Sequence, residues 1–191
     1  MRKASSRQTP SSTIIAYALF PSPIGTIGLA ATPKGLCRLS LNVPSESAFR
    51  KKLRREYRRP VLRNDNSFKD LAARLQAYFS GKPVRFNTRF DLSEGTSFQQ
   101  KVWRSLRRIP YGQTRSYRSV AQSIGHPQSS RAVGGACGNN PVAVLIPCHR
   151  VIGADGKLGG FTGGLHIKRW LIQSERNSPR RLESLMTLGR P

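Results

Sequence analysis

The chain has few cysteines and few acidic residues, and it lacks any long hydrophobic run. Its three cysteines, Cys37, Cys137 and Cys148, lie far apart, with no CxxC pair and no Cys/His cluster at zinc-ligand spacing. Neither a disulfide framework nor a metal site is therefore expected. No window approaches the roughly 20 apolar residues of a membrane-spanning helix, and residues 1–13 lack the apolar middle of a secretory signal. We expect reduced thiols, no membrane association and a cytoplasmic protein, or a nuclear one in a eukaryote.

Acidic residues are so scarce that the chain is strongly basic. Lys and Arg number 33 against 9 Asp and Glu, which gives a net charge of +24. No acidic residue occurs between Glu94 and Asp155, an interval that contains eight Lys and Arg, and the segment 50–59 adds seven basic residues around one Glu. A phosphate backbone is the expected partner, since each neutralised phosphate releases counterions. For 50–59 alone, a solvated basic surface is an open alternative.

Turn residues divide the first half of the chain into short apolar runs. Residues 13–20, 26–31 and 35–41 are β-type runs separated by PSPIG and TPKG, which predicts a small antiparallel sheet. Apolar residues then recur at helical spacing in 66–81, which predicts an amphipathic helix packed on that sheet. The segment 81–95 is interpreted as a strand and a linker to a second domain.

The second half has helical patterns. Thr96 or Ser97 can cap a helix over 97–108, which Pro110 follows. SYRSVAQSIG and SSRAVGGACG are two short helical segments joined by a turn-like HPQS, the outline of a helix-turn-helix, although a plain αα-hairpin fits equally well. HIKRWLIQSE predicts a last helix. The expected organisation is a basic tail (1–12), an N-terminal domain (13–91), a C-terminal domain (92–176) and a second tail (177–191).

The segment LIPCHRVIG carries the candidate chemistry. A cysteine nucleophile reacts as the thiolate and needs a base or a positive environment, and Cys148 is followed directly by His149. Such a histidine needs a third group to orient it, and Glu175 is one of only two acidic residues after Asp155. The alternative is structural, because a cysteine after an apolar run is commonly a small buried hydrophobe.

Longer stretches around this segment resemble a known family. IPCHRV, with RAVGGACGNNPV before it and GKLGGFTGGLHIKRWLIQSE after it, is similar to the active-site region of the O6-alkylguanine-DNA alkyltransferases, or methylated-DNA–protein-cysteine methyltransferases. The resemblance covers residues 96–175 strongly and SPIGTIGLAATPKGLCRLSL more loosely. It implies an α+β fold with a three-stranded, ribonuclease-H-like N-terminal domain and a mostly helical C-terminal domain with a helix-turn-helix.

The resemblance also implies a function. Family members repair DNA by flipping an O6-alkylguanine out of the duplex and transferring its alkyl group irreversibly to their own cysteine, in a single turnover without a cofactor. Carried over, Cys148 is the methyl acceptor, His149 its water-linked base and Glu175 the group that orients the histidine. Asn140 braces the active-site turn, and Tyr117 rotates the nucleotide and donates a proton to the departing base.

Further positions follow from the same resemblance. Arg131 is the finger that enters the duplex, and Gly134 and Gly135 allow close approach of the helix to DNA. Arg150, in the acid-free interval, is also expected to contact DNA. The base pocket is assigned to Val151, Phe161 and Thr162, and Phe161 stands where many members have tyrosine. Tyr117 as a core aromatic and Arg131 as a plain phosphate contact are the open alternatives.

Two other functions are compatible with parts of the pattern. A non-catalytic module that recognises alkylated bases would characteristically lack the acceptor cysteine, which this chain has. A helix-turn-helix regulator would protect a defined sequence and form no covalent adduct. The expected partner is duplex DNA containing O6-alkylguanine, bound by a monomer, with cooperative binding along DNA left open.

Overall fold

The N-terminal half of the protein is a small sheet with two helices. The computed structural model describes residues 14–82 and 84–177 of the chain. Strands β1 (Ile15–Phe20), β2 (Ile27–Thr32) and β3 (Gly35–Ser40) form the predicted antiparallel meander. A short β4 (Val61–Arg63) adds a fourth strand, parallel to β1, in the order β3-β2-β1-β4. The predicted tail 1–12 lies outside the described residues, and so does the predicted tail 177–191 apart from its first residue, Asn177.

Two helices follow the meander. Helix α1 (Glu46–Tyr57) contains most of the basic segment 50–59 and begins at the N-cap Ser45, whose side chain accepts a hydrogen bond from Ala48 N. Helix α2 (Lys69–Phe79) matches the predicted amphipathic helix. Because side chains alternate across a strand, the sheet packs α1 on one face and α2 together with the C-terminal half on the other. The first face has a core of Ile15, Tyr17, Ala30, Cys37, Val43, Phe49 and Leu53.

The C-terminal half is mostly helical. It contains α3 (Ser97–Leu106), α4 (Tyr117–Ser123), α5 (Ser130–Gly138) and α6 (Leu165–Arg176), and a two-stranded parallel ladder of β5 (Arg115–Ser116) and β6 (Val151–Ile152). Thr96, one of the two predicted N-cap residues, caps α3 and forms a capping box with Gln99. Helices α4 and α5 pack on each other in the helix-turn-helix order. None of the helices in the described ranges is long and apolar enough to cross a membrane.

The two halves share one hydrophobic core and a backbone connection. Leu39, on the edge strand β3, donates to Pro141 O at 2.8 Å and accepts from Ala143 N at 3.4 Å. The loop before the candidate nucleophile is therefore held by the edge of the N-terminal sheet. The division into domains near residue 92 stays a prediction, because one hydrophobic core contains buried residues of both halves, from Ala18 to Leu171.

One sequence interpretation was wrong. The segment 81–95 forms no strand among its described residues, and its pairing with the sheet is a single isolated bridge between Phe90 and Leu36. Leu36 donates to Arg89 O and accepts from Asp91 N, both at 2.9 Å. Alternation of apolar and polar residues is therefore not sufficient for a strand here. The segment pairs with the sheet edge only at Leu36 and then turns toward α3.

Gly35 makes this crossing possible, and its replacement gives a stability prediction. Its φ is +142°, and a Cβ at this position would lie 2.5 Å from Arg89 O. We expect Gly35→Ala to lower the free energy of unfolding by about 2–4 kcal/mol, because backbone strain and a backbone clash add. Urea unfolding measures the effect. Gly81→Ala is the control, since Gly81 also has a positive φ of +78° but an added Cβ meets nothing within 4 Å; equal losses in both variants would contradict the clash.

Candidate active site

The candidate nucleophile lies where the two-stranded ladder begins. Cys148 opens a 3-10 turn (Cys148–Arg150) that leads directly into β6, and its exposed fraction is 5%. Strand β5 pairs with β6 through Arg115 and Val151, and Tyr117 follows β5 as the first residue of α4. The ladder thus ties the first helix of the helix-turn-helix to the turn that contains the thiol.

Asn140 makes the hydrogen bonds of the active-site loop. Its Nδ2 donates to Ile146 O at 2.7 Å and to Cys148 Sγ at 3.0 Å, while its Oδ1 accepts from Val142 N at 3.0 Å. One side chain therefore joins the start of the loop, its end and the sulfur. These hydrogen bonds place Asn140 where the sequence expected it, and its role in bracing the active-site turn stays a prediction.

The loop between Asn140 and Cys148 contains a strained residue. Val144 has φ +69°, a region that β-branched residues rarely adopt, and Leu145 N donates to Ala143 O at 2.8 Å across it. Such a conformation costs on the order of 1–3 kcal/mol and needs support from its surroundings. The side chain of Val144 is buried, so packing and the bonds of Asn140 offset the strain.

His149 and Glu175 form the predicted pair. Both are buried, and His149 Nε2 lies 2.9 Å from Glu175 Oε1. Tyr78, from α2, donates its hydroxyl to the same oxygen at 2.5 Å, and Gly112 N donates to Glu175 Oε2 at 3.0 Å. The N-terminal half thus contributes a residue to this cluster.

Arg150 completes the environment of Glu175. Its Nε and Nη2 donate to the two carboxylate oxygens at 2.9 and 2.8 Å, and Nη1 donates to Ile109 O at 2.6 Å. Burial raises the pKa of Glu175, but the hydrogen bonds of its carboxylate with His149 and Arg150 hold that pKa well below its usual range. The guanidinium of Arg150 is committed to Glu175 and its side chain is 12% exposed, and the DNA contact expected of Arg150 stays a prediction.

The hydrogen bonds determine the state of the imidazole. An ionised Glu175 only accepts, so the proton between the two groups belongs to His149 Nε2. Burial lowers the pKa of His149, which favours the neutral ring. His149 Nδ1 then presents a lone pair, and it is buried without a hydrogen-bonding partner among the described residues. The ring is therefore prepared to accept a proton on the nitrogen opposite Glu175.

The thiol itself needs this help. Burial raises the pKa of Cys148, and the hydrogen bond from Asn140 and the charge of Lys168 act in the opposite direction. A thiolate is stabilised by donors and by positive charge. Cys137 has the same difficulty without the hydrogen bond, since burial raises its pKa to about 12.

Lys168 is a site residue that the sequence reasoning missed. It is fully buried on α6, and its Nζ donates to Val151 O at 2.7 Å and to Leu158 O. Its Nζ also lies 5.8 Å from the centre of the Tyr117 ring. A signal was present, because Lys168 falls on the apolar stripe of α6 that also includes Leu171 and Glu175. A lysine on such a stripe indicates a buried charge with a specific partner.

A wide cleft opens beside the helix-turn-helix, and we call it the outer cleft. Its volume is about 500 Å³, and it is lined by Tyr117, Ser130, Arg131, Gly134, Gly138, Gly159, Gly160 and Phe161. Arg131 is exposed at the start of α5, while Tyr117 is half-buried and burial raises its pKa to about 12. The phenol keeps its proton at neutral pH and can donate a hydrogen bond into the cleft.

A smaller cavity lies on the other side of Phe161, and we call it the thiol cavity. It measures about 170 Å³ and is lined by Arg38, Leu39, Ser40, Leu41, Lys52, Cys137, Asn140, Ala143, Cys148, Phe161, Thr162 and Gly163. Phe161 borders both spaces, so the outer cleft and the thiol cavity adjoin at its ring. The reactive sulfur is reached from this side.

The remaining predicted residues lie around these two spaces. Thr162 donates its hydroxyl to Gly138 O at 2.9 Å, and Val151 O already accepts from Lys168, which leaves one lone pair for a ligand. A Cβ on Gly134 would lie 3.8 Å from the Tyr117 ring, whereas one on Gly135 would meet open space. Their predicted role in DNA approach stays a prediction.

No metal centre accompanies the cluster in the part of the chain that the structure describes. No group of three or more His, Cys, Asp or Glu residues there is arranged to bind a metal ion. The three cysteines are free and buried.

Comparisons with known proteins agree with this arrangement. Residues 15–92 match the profile of the ribonuclease-like domain of 6-O-methylguanine DNA methyltransferase, and residues 97–177 match that of its DNA-binding domain. The chain is 46% identical over 164 residues to the methylated-DNA–protein-cysteine methyltransferase of Methanosarcina barkeri, which covers 86% of this chain and 99% of that protein.

Solved structures give the same match in three dimensions. The crystal structure of the O6-methylguanine methyltransferase of Mycobacterium tuberculosis aligns with a TM-score of 0.75 at 40% identity, covering 86% of this chain and 94% of that chain. The same protein in complex with DNA aligns with a TM-score of 0.74 at 40% identity, covering 85% and 94%.

Proposed function

The chain belongs to the 6-O-methylguanine DNA methyltransferase family, and on that premise we propose that it repairs DNA by transferring the alkyl group of O6-alkylguanine to its own Cys148. The observation that carries the assignment to Cys148 is its hydrogen bond from Asn140 beside the buried His149–Glu175 pair. The product is a thioether on the protein, so each chain acts once. Duplex DNA is the partner, and the cytoplasm, or the nucleus in a eukaryote, is the proposed location.

The reaction begins with proton transfer from the thiol. His149 Nδ1 accepts the proton of Cys148, directly or through a water molecule, while Glu175 keeps the ring oriented and stabilises the imidazolium. The hydrogen bond from Asn140 Nδ2 and the nearby positive charge of Lys168 stabilise the thiolate. Burial of the site strengthens these interactions because little solvent screens them.

The thiolate then attacks the alkyl carbon. The S–C bond forms as the C–O6 bond breaks, and the electron pair of that bond stays with the guanine. The base leaves with a proton, for which the hydroxyl of Tyr117 is the proposed donor. No oxidant, metal or cofactor takes part in this balance of bonds.

Access to the thiol requires a nucleotide outside the stack. The O6 atom of a paired guanine lies inside the duplex, and Cys148, which is 5% exposed, lines the thiol cavity that adjoins the outer cleft at Phe161. The cleft borders the first turn of α5, the second helix of the helix-turn-helix, where such motifs contact DNA. Cooperative binding and a monomeric state stay predictions.

Intact-protein mass spectrometry tests the proposal. The protein is incubated with a duplex containing one O6-methylguanine, with the undamaged duplex as control, and the product is mapped by peptide digestion. We expect one added methyl group per chain, on Cys148. Preferential binding to the damaged duplex without any mass change would instead support the non-catalytic recognition module.

Arg131→Ala tests the proposed role of the finger. Arg131 is exposed and borders the outer cleft, so its loss should slow nucleotide flipping but not the chemical step. We expect the transfer rate on duplex DNA to fall about tenfold or more, which corresponds to about 1.4 kcal/mol of barrier. A single strand carrying the same base needs no flipping and is the control; equal losses on both substrates would assign Arg131 to phosphate contact alone.

A further inference from the structure

Basic side chains from the N-terminal half border the thiol cavity. Arg38 lies on the edge strand β3, and Lys52 lies on α1. Both line the same cavity of about 170 Å³ as Cys148. No carboxylate is among the described residues that line it. The reactive sulfur therefore faces a space with two cationic neighbours.

The positive charge beside this cavity is only partly balanced. Arg38 donates to Glu56, while its Nε is buried without a hydrogen-bonding partner among the described residues. Lys52 makes no ion pair within the described chain, and burial together with the charge of Arg38 lowers its pKa. Two cations thus lie near one carboxylate, and an additional anion in this space would be favoured.

The position of the cavity relates this charge to the substituent that is transferred. Phe161 separates the outer cleft, through which the base enters, from the thiol cavity. When the sulfur attacks the carbon bound to O6, any group attached to that carbon must extend away from the C–O6 bond. The thiol cavity is the adjoining space, and about 170 Å³ exceeds the roughly 30 Å³ of one water molecule several times.

We propose that the thiol cavity is a subsite for transferred alkyl groups that end in a carboxylate, with Lys52 and Arg38 as the cations that receive it. This inference rests on the proposed function. For a carboxymethyl group, Sγ of Cys148 bonds to the methylene carbon, the C–O6 bond breaks with its electrons on the guanine, and the thiol proton is matched by the one the guanine gains. The products are S-carboxymethylcysteine and guanine.

The test compares three duplexes of identical sequence. They contain O6-methylguanine, O6-carboxymethylguanine or O6-(carbamoylmethyl)guanine, in which a neutral amide replaces the carboxylate at nearly the same size. Single-turnover rate constants are measured for each by the mass of the alkylated protein. The quantity of interest is the ratio of the carboxymethyl to the carbamoylmethyl rate constant.

The decisive variant is Lys52→Met, and Lys51→Met is its matched control. Lys51 is the exposed neighbour on α1 and does not line the cavity, and Lys51→Met removes the same charge as Lys52→Met. We expect Lys52→Met to lower the ratio about tenfold, as loss of a charged hydrogen bond does, and Lys52→Arg to retain most of it. Lys51→Met should leave the ratio unchanged.

Other outcomes would overturn the inference in recognisable ways. Equal loss on all three duplexes with Lys52→Met would mean that Lys52 contacts a DNA phosphate. An unchanged ratio would mean that the carboxylate does not reach Lys52. Failure of the unmodified protein to transfer even methyl would refute the proposed function itself, which is a separate result.

Discussion

Replacing Cys148 by alanine is expected to abolish alkyl transfer completely while the protein still binds DNA. Cys148 is the proposed acceptor, so no residual turnover can come from other members of the site. Its side chain is small and its sulfur accepts one hydrogen bond, from Asn140, whose Nδ2 also donates to Ile146 O. The loop thus keeps its main connection, and the fold should persist. Intact-protein mass after incubation with O6-methylguanine duplex measures transfer, and fluorescence anisotropy measures DNA binding.

Cys137→Ala is the matched control for this variant. Cys137 lines the same thiol cavity and is also buried, but unlike Cys148 its sulfur receives no side-chain hydrogen bond within the described residues, and burial raises its pKa to about 12. It therefore stays a thiol at neutral pH and cannot compete as nucleophile. Transfer should remain in Cys137→Ala. Loss of the adduct in that variant, together with its persistence in Cys148→Ala, would show that Cys137 and not Cys148 is the acceptor.

Glu175→Gln is expected to cost the fold more than any other conservative change in the site. The substitution leaves the Arg150 guanidinium buried without its carboxylate and forces an amide among donors from Tyr78 and Gly112. Breaking a buried ion pair on one side costs about 3–5 kcal/mol. Chemical denaturation measures the loss. Asp70→Asn is the control, because the exposed pair of Asp70 with Arg74 should contribute about 0.5 kcal/mol or less.

The pH dependence of stability gives an independent check on Glu175. Its folded pKa lies below the unfolded value of about 4.3. Its contribution is therefore complete above that value and is lost as the pH falls through the folded pKa. Below pH 4.3, the wild-type protein should lose stability more steeply than Glu175→Gln. Parallel curves in that range would show that Glu175 is not held ionised by its partners.

His149 adds a second acid-sensitive step. Burial lowers its folded pKa below the unfolded value of about 6.5. The unfolded chain then binds the proton first, so the stability that neutral His149 contributes declines as the pH falls below about 6.5. This decline in stability should appear in the wild-type protein and in Cys148→Ala alike, since the substitution leaves the ring of His149 buried.

Much of the architecture could be predicted because local patterns determine it. The turns PSPIG and TPKG delimit the meander, and the capping box of Thr96 and Gln99 starts α3 where the sequence indicated. Strand β4 was missed because three residues carry no measurable pattern, and they pair with β1 only after α1 has crossed the sheet. Residues 81–95 alternate like a strand, but a single bridge at Leu36 is all they form in their described part.

The site was predictable in its residue types but less so in its partners. The neighbours in sequence, Cys148 and His149, were evident, and Glu175 was found because acidic residues are rare there. Tyr78 and Lys168 reach the cluster from distant elements, so no local pattern could place their polar atoms. The pairing of Arg150 with Glu175 was not predicted, because a basic residue in an acid-free interval resembles a DNA contact until its buried carboxylate partner is known.

The ladder of β5 and β6 fixes the distance between the helix-turn-helix and the reactive thiol. Two backbone pairs, Arg115 with Val151 and Ser116 with Ile152, fix the spacing between the start of α4 and the turn that contains the sulfur. Backbone atoms set this distance, so surface substitutions can change how firmly the helix-turn-helix grips a duplex without changing how far a base must travel. The distance that a flipped base must cover to the thiol is thus set by the backbone, whereas the affinity for DNA can change through surface substitutions.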